Sequence, residues 1–255
     1  MIKQLMKPVL TGKGPDFSKL TSKECGLGDY RLRYKLPGNA LSNERPNRSK
    51  PERVNLRDSL FDSYNVEHDY NRTFVKMDFE LWNYKGNYFQ GYFGKLGEMS
   101  IDIAVNRAEA HTVIRESDLD SLESYLKKDY WEYYETEQNK DGKPGANWEA
   151  RYEFEHPDEL IAKGYIPPQR LVLVQLPEVY EKVCFNDVNW LHYAIRGEGI
   201  PGPRYSYYWA YPLSNEYYLT ICFRMSSEVG NETMRFQRML EDAKRIMSTV
   251  EVSKC

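Results

Sequence analysis

Tyr217-Tyr218-Leu219-Thr220-Ile221-Cys222-Phe223-Arg224 sorts into two faces, with Tyr217, Leu219, Ile221 and Phe223 opposite Tyr218, Thr220, Cys222 and Arg224. A period of two held this long is the signature of a strand. Downstream the period changes. Phe236, Met239, Leu240, Ala243, Ile246 and Met247 recur at helical spacing, which predicts an amphipathic helix over Glu232–Ser248 with Asn231 placed to cap it. Its apolar stripe should pack across a sheet, leaving Arg238, Glu241, Asp242 and Arg245 in water.

The same plan, strands and then a helix, recurs upstream. Tyr30–Leu36 alternates strictly and ends at Pro37-Gly38. In Thr73–Asn83, Val75, Met77, Phe79 and Leu81 share a face, with Lys76, Asp78 and Glu80 opposite. Lys85-Gly86-Asn87 turns, Tyr88–Phe93 returns, Gly94–Gly97 turns again, and Met99, Ile101, Ile103 and Val105 alternate with polar or small residues. Ser117-Asp118-Leu119-Asp120 opens a helix capped by Ser117, with Leu119, Leu122, Leu126 and Tyr130 or Tyr133 as its stripe.

In the second half, Trp148–Glu155 reads as a weak strand and Pro157–Gly164 as a short helix. Leu171–Leu176 reads as a buried strand, and Val179–Phe185, Trp190–Arg196 and Tyr205–Tyr211 as further strands. Strands do not alternate one for one with long helices, so the fold class is α+β rather than a doubly wound parallel sheet. The expected organisation is a flexible N-terminal arm over 1–28, a first α+β lobe over 29–138, a linker over 139–147 and a second lobe over 148–255, each lobe an antiparallel sheet packed by a helix. Asn43–Arg53 is read as a surface loop, and Gly197–Pro203 as an exposed connection.

Composition narrows the function classes. The chain has 255 residues and a net charge of −3, which argues against a general nucleic-acid binder. Mean hydropathy is −0.72, and no apolar run approaches the length of a membrane span. Aromatics reach 14%, with 21 tyrosines, too many for a disordered chain. Lysines interrupt the first residues, so no signal peptide is expected. That reading places the chain in the cytoplasm, or in the periplasm if the sequence is a mature fragment. Cys184 and Cys222 sit in apolar runs and are expected in the core, while Cys25 and Cys255 are expected to be exposed. All four are read as free thiols, with one disulfide open to an exported protein.

No nucleotide-binding, zinc-protease or serine-hydrolase motif occurs. His68, His111, His156 and His192 do not fall within three or four residues of one another, so neither a metal nor a cofactor is expected. Cys184 with His192 is a poor thiolate pair, because Cys184 lies between Val183 and Phe185. The distinctive feature is aromatic: Tyr130-Trp131-Glu132-Tyr133-Tyr134-Glu135 and Tyr205-Ser206-Tyr207-Tyr208-Trp209-Ala210-Tyr211. The first run cannot fit on one helical stripe, since consecutive residues turn by about 100°. Tyr and Trp give large contact area at low entropic cost. The expected partner-binding residues are therefore Tyr130, Trp131, Tyr133, Tyr134, Glu135, Tyr207, Tyr208 and Trp209, with burial of about half of the aromatics weighed equally against it.

Cys25-Gly26-Leu27-Gly28-Asp29-Tyr30-Arg31-Leu32-Arg33-Tyr34-Lys35-Leu36-Pro37 resembles the opening strand of bacterial immunity proteins that neutralise type VI secretion lipase effectors. Tyr217–Phe223, leading into a final helix and Ser248–Val252, is similar to that group and to PsbP-like α+β domains. The resemblance implies a two-domain, non-enzymatic toxin-neutralising protein whose partner is a cognate effector, blocked at its active-site mouth. It assigns no residue a role. Two alternatives stay open: a secretion adaptor or chaperone of the same fold, and a carbohydrate-active enzyme using two carboxylates in an aromatic groove.

Overall fold

A computed structural model describes residues 11–41, 51–64, 66–69, 72–86, 94–109, 112, 114–197, 204–228 and 232–255. The expected return strand Tyr88–Phe93, most of the 43–53 loop, residues 1–10 of the N-terminal segment, His111, the 198–203 connection and the Asn231 cap lie outside these residues.

β1 (Asp16–Leu27) and β2 (Tyr30–Gly38) form a hairpin, with Leu27 opposite Tyr30. Gly28 makes the turn at φ +59, a left-handed conformation that favours glycine. β3 (Arg53–Val54) adds to β1 in parallel, and β11 (Glu251–Lys254) adds to β2 antiparallel. The small sheet therefore runs β11-β2-β1-β3. Thus 16–27, expected as part of a flexible arm, is sheet. Its outward residues are polar, which hides the alternation that Cys25 and Leu27 begin.

The larger sheet comprises β4 (Glu67–Asp69), β5 (Arg72–Lys85), β6 (Lys95–Arg107), β7 (Glu181–Phe185), β8 (Val188–Arg196), β9 (Arg204–Pro212) and β10 (Tyr217–Ser227). Its order is β4-β5-β6-β10-β9-β8-β7, and every neighbouring pair is antiparallel. The helices are α1 (Asp58–Phe61), α2 (Leu119–Tyr134), α3 (Ala146–Glu155), α4 (Pro157–Ala162) and α5 (Glu232–Met247).

The fold is α+β, with two largely antiparallel sheets packed by helices. The strands are not shared out as two successive lobes, however. β6 pairs with β10 from Arg107↔Tyr217 to Gly97↔Ser227, and β11 at the chain's end completes the sheet begun by β1. β6 is buried on both faces and needs a partner along each edge, and β10 supplies the second.

The layers follow from strand parity. Ile101 and Ile103 of β6, Trp190 of β8, Trp209 of β9, and Leu219, Ile221 and Phe223 of β10 face the small sheet's Leu27, Leu32 and Leu36 together with α5. Leu191, Tyr193, Ile195, Tyr208 and Tyr218 face the opposite way, onto Leu119, Leu122, Leu126, Tyr130 and Tyr134 of α2. The larger sheet is therefore the middle layer. α2 is capped by Asp118 rather than Ser117: its Oδ1 accepts from the amides of Asp120 at 3.0 Å and Ser121 at 3.2 Å. α5 buries Phe236, Met239, Ala243, Ile246 and Met247 as expected. Leu240 is only half-buried, and Asp242 is buried rather than in water.

A bulge between Lys76 and Asp78 changes the facing of β5. Val75 points inward before it, and Asp78, Glu80, Trp82 and Tyr84 point inward after it. The expected wet face of Asp78 and Glu80 is therefore a core face, and Phe79 and Leu81 take the other side. Two further elements differ from expectation. Residues 148–155 are helix α3, and Leu171–Leu176 is not a strand; only Gln175 bridges, to Arg196 of β8. Cys25 is buried and Cys184 exposed, the reverse of expectation. Among the described residues no helix is long and apolar enough to cross a membrane.

Candidate functional site

Most of the expected aromatic surface lies inside. Tyr130 and Tyr134 are buried on α2, and the Tyr130 hydroxyl lies 3.0 Å from that of Tyr193. Tyr208 is buried, its ring stacked on Tyr193 at 5.0 Å, and Trp209 is wholly buried under the small sheet. Tyr133 is half-buried with its ring 4.6 Å from Tyr134, and Tyr207 is half-buried in the core that α5 closes. Burial takes Tyr130, Tyr134, Tyr208 and Trp209 out of a partner's reach. Trp131 alone of the set stands clear, 60% exposed, because it falls on the outer side of α2.

The exposed apolar groups are elsewhere. Apart from Leu20, Leu60 and Met234, every large apolar side chain exposed among the described residues falls between residues 131 and 179. They include Tyr152, Phe154, Ile161, Tyr165, Ile166, Leu171 and Val172, and Ile166 reaches 92% exposure. Scattered exposed apolar groups are ordinary, but here they are concentrated in one stretch of the chain. α4 buries none of its residues and α3 buries only Asn147. Residues 148–173 thus form a projection from the body.

Its base is built like a clamp. Asn147 Nδ2 donates to the Val174 carbonyl at 2.7 Å, and the Val174 amide donates to Asn147 Oδ1 at 2.8 Å. The two residues are thereby bound across the whole excursion. Asn147 Nδ2 also donates to Glu135 Oε1 at 2.6 Å, and the Arg151 guanidinium donates to Glu135 Oε2 at 2.7 Å. Glu135, expected to meet a partner, instead has both oxygens committed to holding α3 against the end of α2. Gly145 precedes the helix so closely that a Cβ would lie 2.6 Å from the Tyr134 carbonyl carbon. At the far end, Gln175 and Arg196 exchange backbone hydrogen bonds at 2.9 and 3.1 Å. Between α3 and residues 168–172 lies a groove of about 560 Å³, lined by Ala150, Glu153, Pro168, Gln169, Arg170, Leu171 and Val172.

The other concentrations of polar chemistry are internally spent. Lys23 Nζ donates to Asp78 Oδ2 at 2.7 Å and Glu80 Oε1 at 2.9 Å, and the Tyr34 hydroxyl donates to Asp78 Oδ2 at 2.7 Å. Burial works against the Lys23 charge, but the two carboxylates outweigh it and its pKa is raised. This cluster joins the small sheet to β5 and places a lysine between the carboxylates, where a glycosidase needs substrate. Burial, reinforced by the Asp78 charge, pushes the Cys25 thiol up to about 12, so it is protonated and not nucleophilic at neutral pH. His192 is paired through β8 with β9, stacked on Trp209 at 4.3 Å, and its Nδ1–H donates to the Tyr208 carbonyl at 3.0 Å. Cys184 sits opposite Asn189, while His192 sits opposite Glu181. Among the described residues no group of His, Cys, Asp and Glu is arranged to hold a metal.

Sequence reasoning missed the projection because it read 148–155 as a strand and 171–176 as buried. A signal was present: Trp148, Tyr152 and His156 recur every four residues, and prolines at 167, 168 and 177 fence the apolar run. No family model matches the chain, and no matching curated protein or solved structure was found.

Proposed function

We propose that this chain is a non-enzymatic binding protein whose partner is met by the 148–173 projection together with Trp131. One observation carries the reading. A segment clamped at its base by Asn147 and Val174 holds Tyr152, Phe154, Ile161, Tyr165 and Ile166 in water, where an ordinary surface would carry polar groups. Aromatic and aliphatic anchors on a preorganised element suit binding, because little freedom is lost on contact.

Within that class we favour an immunity protein that occludes the active-site mouth of a secreted effector. Support comes from the resemblance of Cys25–Pro37 and Tyr217–Phe223 to such proteins, and from the exposed apolar side chains that the 148–173 segment presents. The test is co-expression with the protein encoded beside it. Growth should be rescued by the wild-type chain and lost with Ile166→Asp, with the thermal midpoint unchanged. A neighbouring product that is harmless alone, or rescue by both chains, counts against the reading.

A further inference from the structure

The larger sheet ends at β7, and the outer edge of that strand is open. Asn186 and Asp187, with φ of 49° and 61°, form the two-residue turn that joins β7 to β8. Phe185 and Val188 close that turn as a hydrogen-bonded pair, and bonded and non-bonded pairs alternate along an antiparallel ladder. Phe185, Val183 and Glu181 therefore turn their amides and carbonyls to β8, while Lys182 and Cys184 turn theirs outward. Among the described residues no hydrogen bond meets the outward groups of Lys182 and Cys184.

Of the strands that end the two sheets, β7 is the longest, with five residues against four for β11, three for β4 and two for β3. Proteins guard such edges with proline, bulges or charge. β7 contains no proline, and its register with β8 is unbroken from Glu181 to Phe185. Of its two charged residues, Lys182 is tied through Nζ to Asp120 of α2 at 2.6 Å, and Glu181 stands at the strand's start. The edge also adjoins the projection. Gln175 bridges Arg196 on the side of β8 that β9 does not occupy, and β7 pairs further along that same side. The clamped base of the projection and β7 thus follow one another along a single edge, and Val179 between them is 63% exposed.

An added strand would meet two different faces. Val183 and Phe185 are half-buried against the core that α5 closes, so the side chains set beside them should be apolar. Lys182 and Cys184 are exposed on the opposite face, where polar side chains suit. Five residues are too few to hold a second copy of the chain, since a stable interface takes about 20–30 residues a side. Beside the projection they lengthen the contact proposed above.

We propose that the partner protein adds an extended segment of alternating apolar and polar residues to β7 as a further strand of the sheet. Its main chain hydrogen-bonds to Lys182 and Cys184, and its apolar side chains lie beside Val183 and Phe185. The proposal rests on the binding-protein reading above and names the form in which part of the partner is held.

The experiment is residue-resolved amide hydrogen exchange on the wild-type chain, free and with the adjacent gene's product. In the free chain the Lys182 and Cys184 amides should exchange fast and those of Val183 and Phe185 slowly. In the complex the first two should slow at least tenfold. Cys184→Pro removes one outward amide and should weaken the complex about tenfold, whereas Cys184→Val keeps the amide and should bind as wild type does. The exchange measurement holds whether or not the proline variant folds. A complex in which Lys182 and Cys184 exchange as in the free chain, or full affinity in a folded Cys184→Pro, overturns the proposal. Protection in the free chain that disappears on dilution overturns it too, by assigning the edge to a second copy. The two readings fail separately. If Ile166→Asp abolishes the complex while the two amides stay unprotected in the wild-type complex, binding by the projection stands and strand addition falls; if no complex forms, both fall.

Discussion

Asn147 is 2% exposed, and both ends of its amide are used. Because it replaces a strand pairing with a side chain, its loss leaves the Val174 amide and carbonyl without those bonds. Asn147→Ala should cost about 1–3 kcal/mol locally, and the projection should then open. Limited proteolysis reads this directly: cleavage within 148–173 should accelerate while the core fragments persist. His192 makes a pH-dependent contribution. Burial holds its imidazole below the ordinary histidine value, partly offset by the Tyr208 carbonyl. A depressed folded pKa gives stability that is complete above the unfolded value, about 6.5, and is lost as pH falls through the lower folded value. His192→Phe keeps a ring on Trp209, so its thermal midpoint should vary less than wild type between about pH 6.5 and 5.

At the scale of elements, α5 is scaffold. Ile246 and Met239 are wholly buried beneath the sheets, so Ile246→Ala should cost about 2–5 kcal/mol, with half-buried Leu240→Ala costing less. Chemical denaturation of the two variants ranks them. Buried Asp242 accepts from the Tyr84 hydroxyl at 2.8 Å and from Arg238 at 3.0 Å. Burial outweighs these partners and raises its carboxyl pKa. A raised folded pKa gives stability that is full below about pH 4 and lost as pH rises through the folded value. Asp242→Asn should therefore match or exceed the wild-type midpoint at pH 7 and lose that advantage at pH 4. Much at this scale was legible: α2, α5 and strands β2, β8, β9 and β10 follow from periodicity, because each presents one unbroken pattern. β5 was misread because a single extra residue at the bulge exchanges faces and periodicity has no means to place it. α3 was misread because Trp148, Ala150, Tyr152 and Phe154 alternate while Trp148, Tyr152 and His156 repeat by four. The clamp was invisible, since it joins residues 27 positions apart through one amide.

For the whole molecule, the same aromatic richness serves two ends. Trp190, Trp209 and Tyr217 fill the core between the two sheets and Tyr193 the core under α2, whereas Trp131, Tyr152 and Tyr165 stay outside both. Sequence patterning identified the aromatic surplus but counted the buried Tyr130, Tyr134, Tyr208 and Trp209 among its eight partner-binding residues, because local patterning does not reveal which face of a helix or central strand another layer covers. Under the proposed function, stability and binding separate: the layered body would carry the first and the 148–173 projection the second. The most direct test is calorimetric titration of the adjacent gene's product with wild-type chain and with the Tyr165→Asp/Ile166→Asp double variant, each paired with its thermal midpoint. If the projection is the binding element, the midpoints are equal and the double variant loses at least a hundredfold in affinity, about 2.7 kcal/mol. Equal affinities at equal midpoints would contradict it.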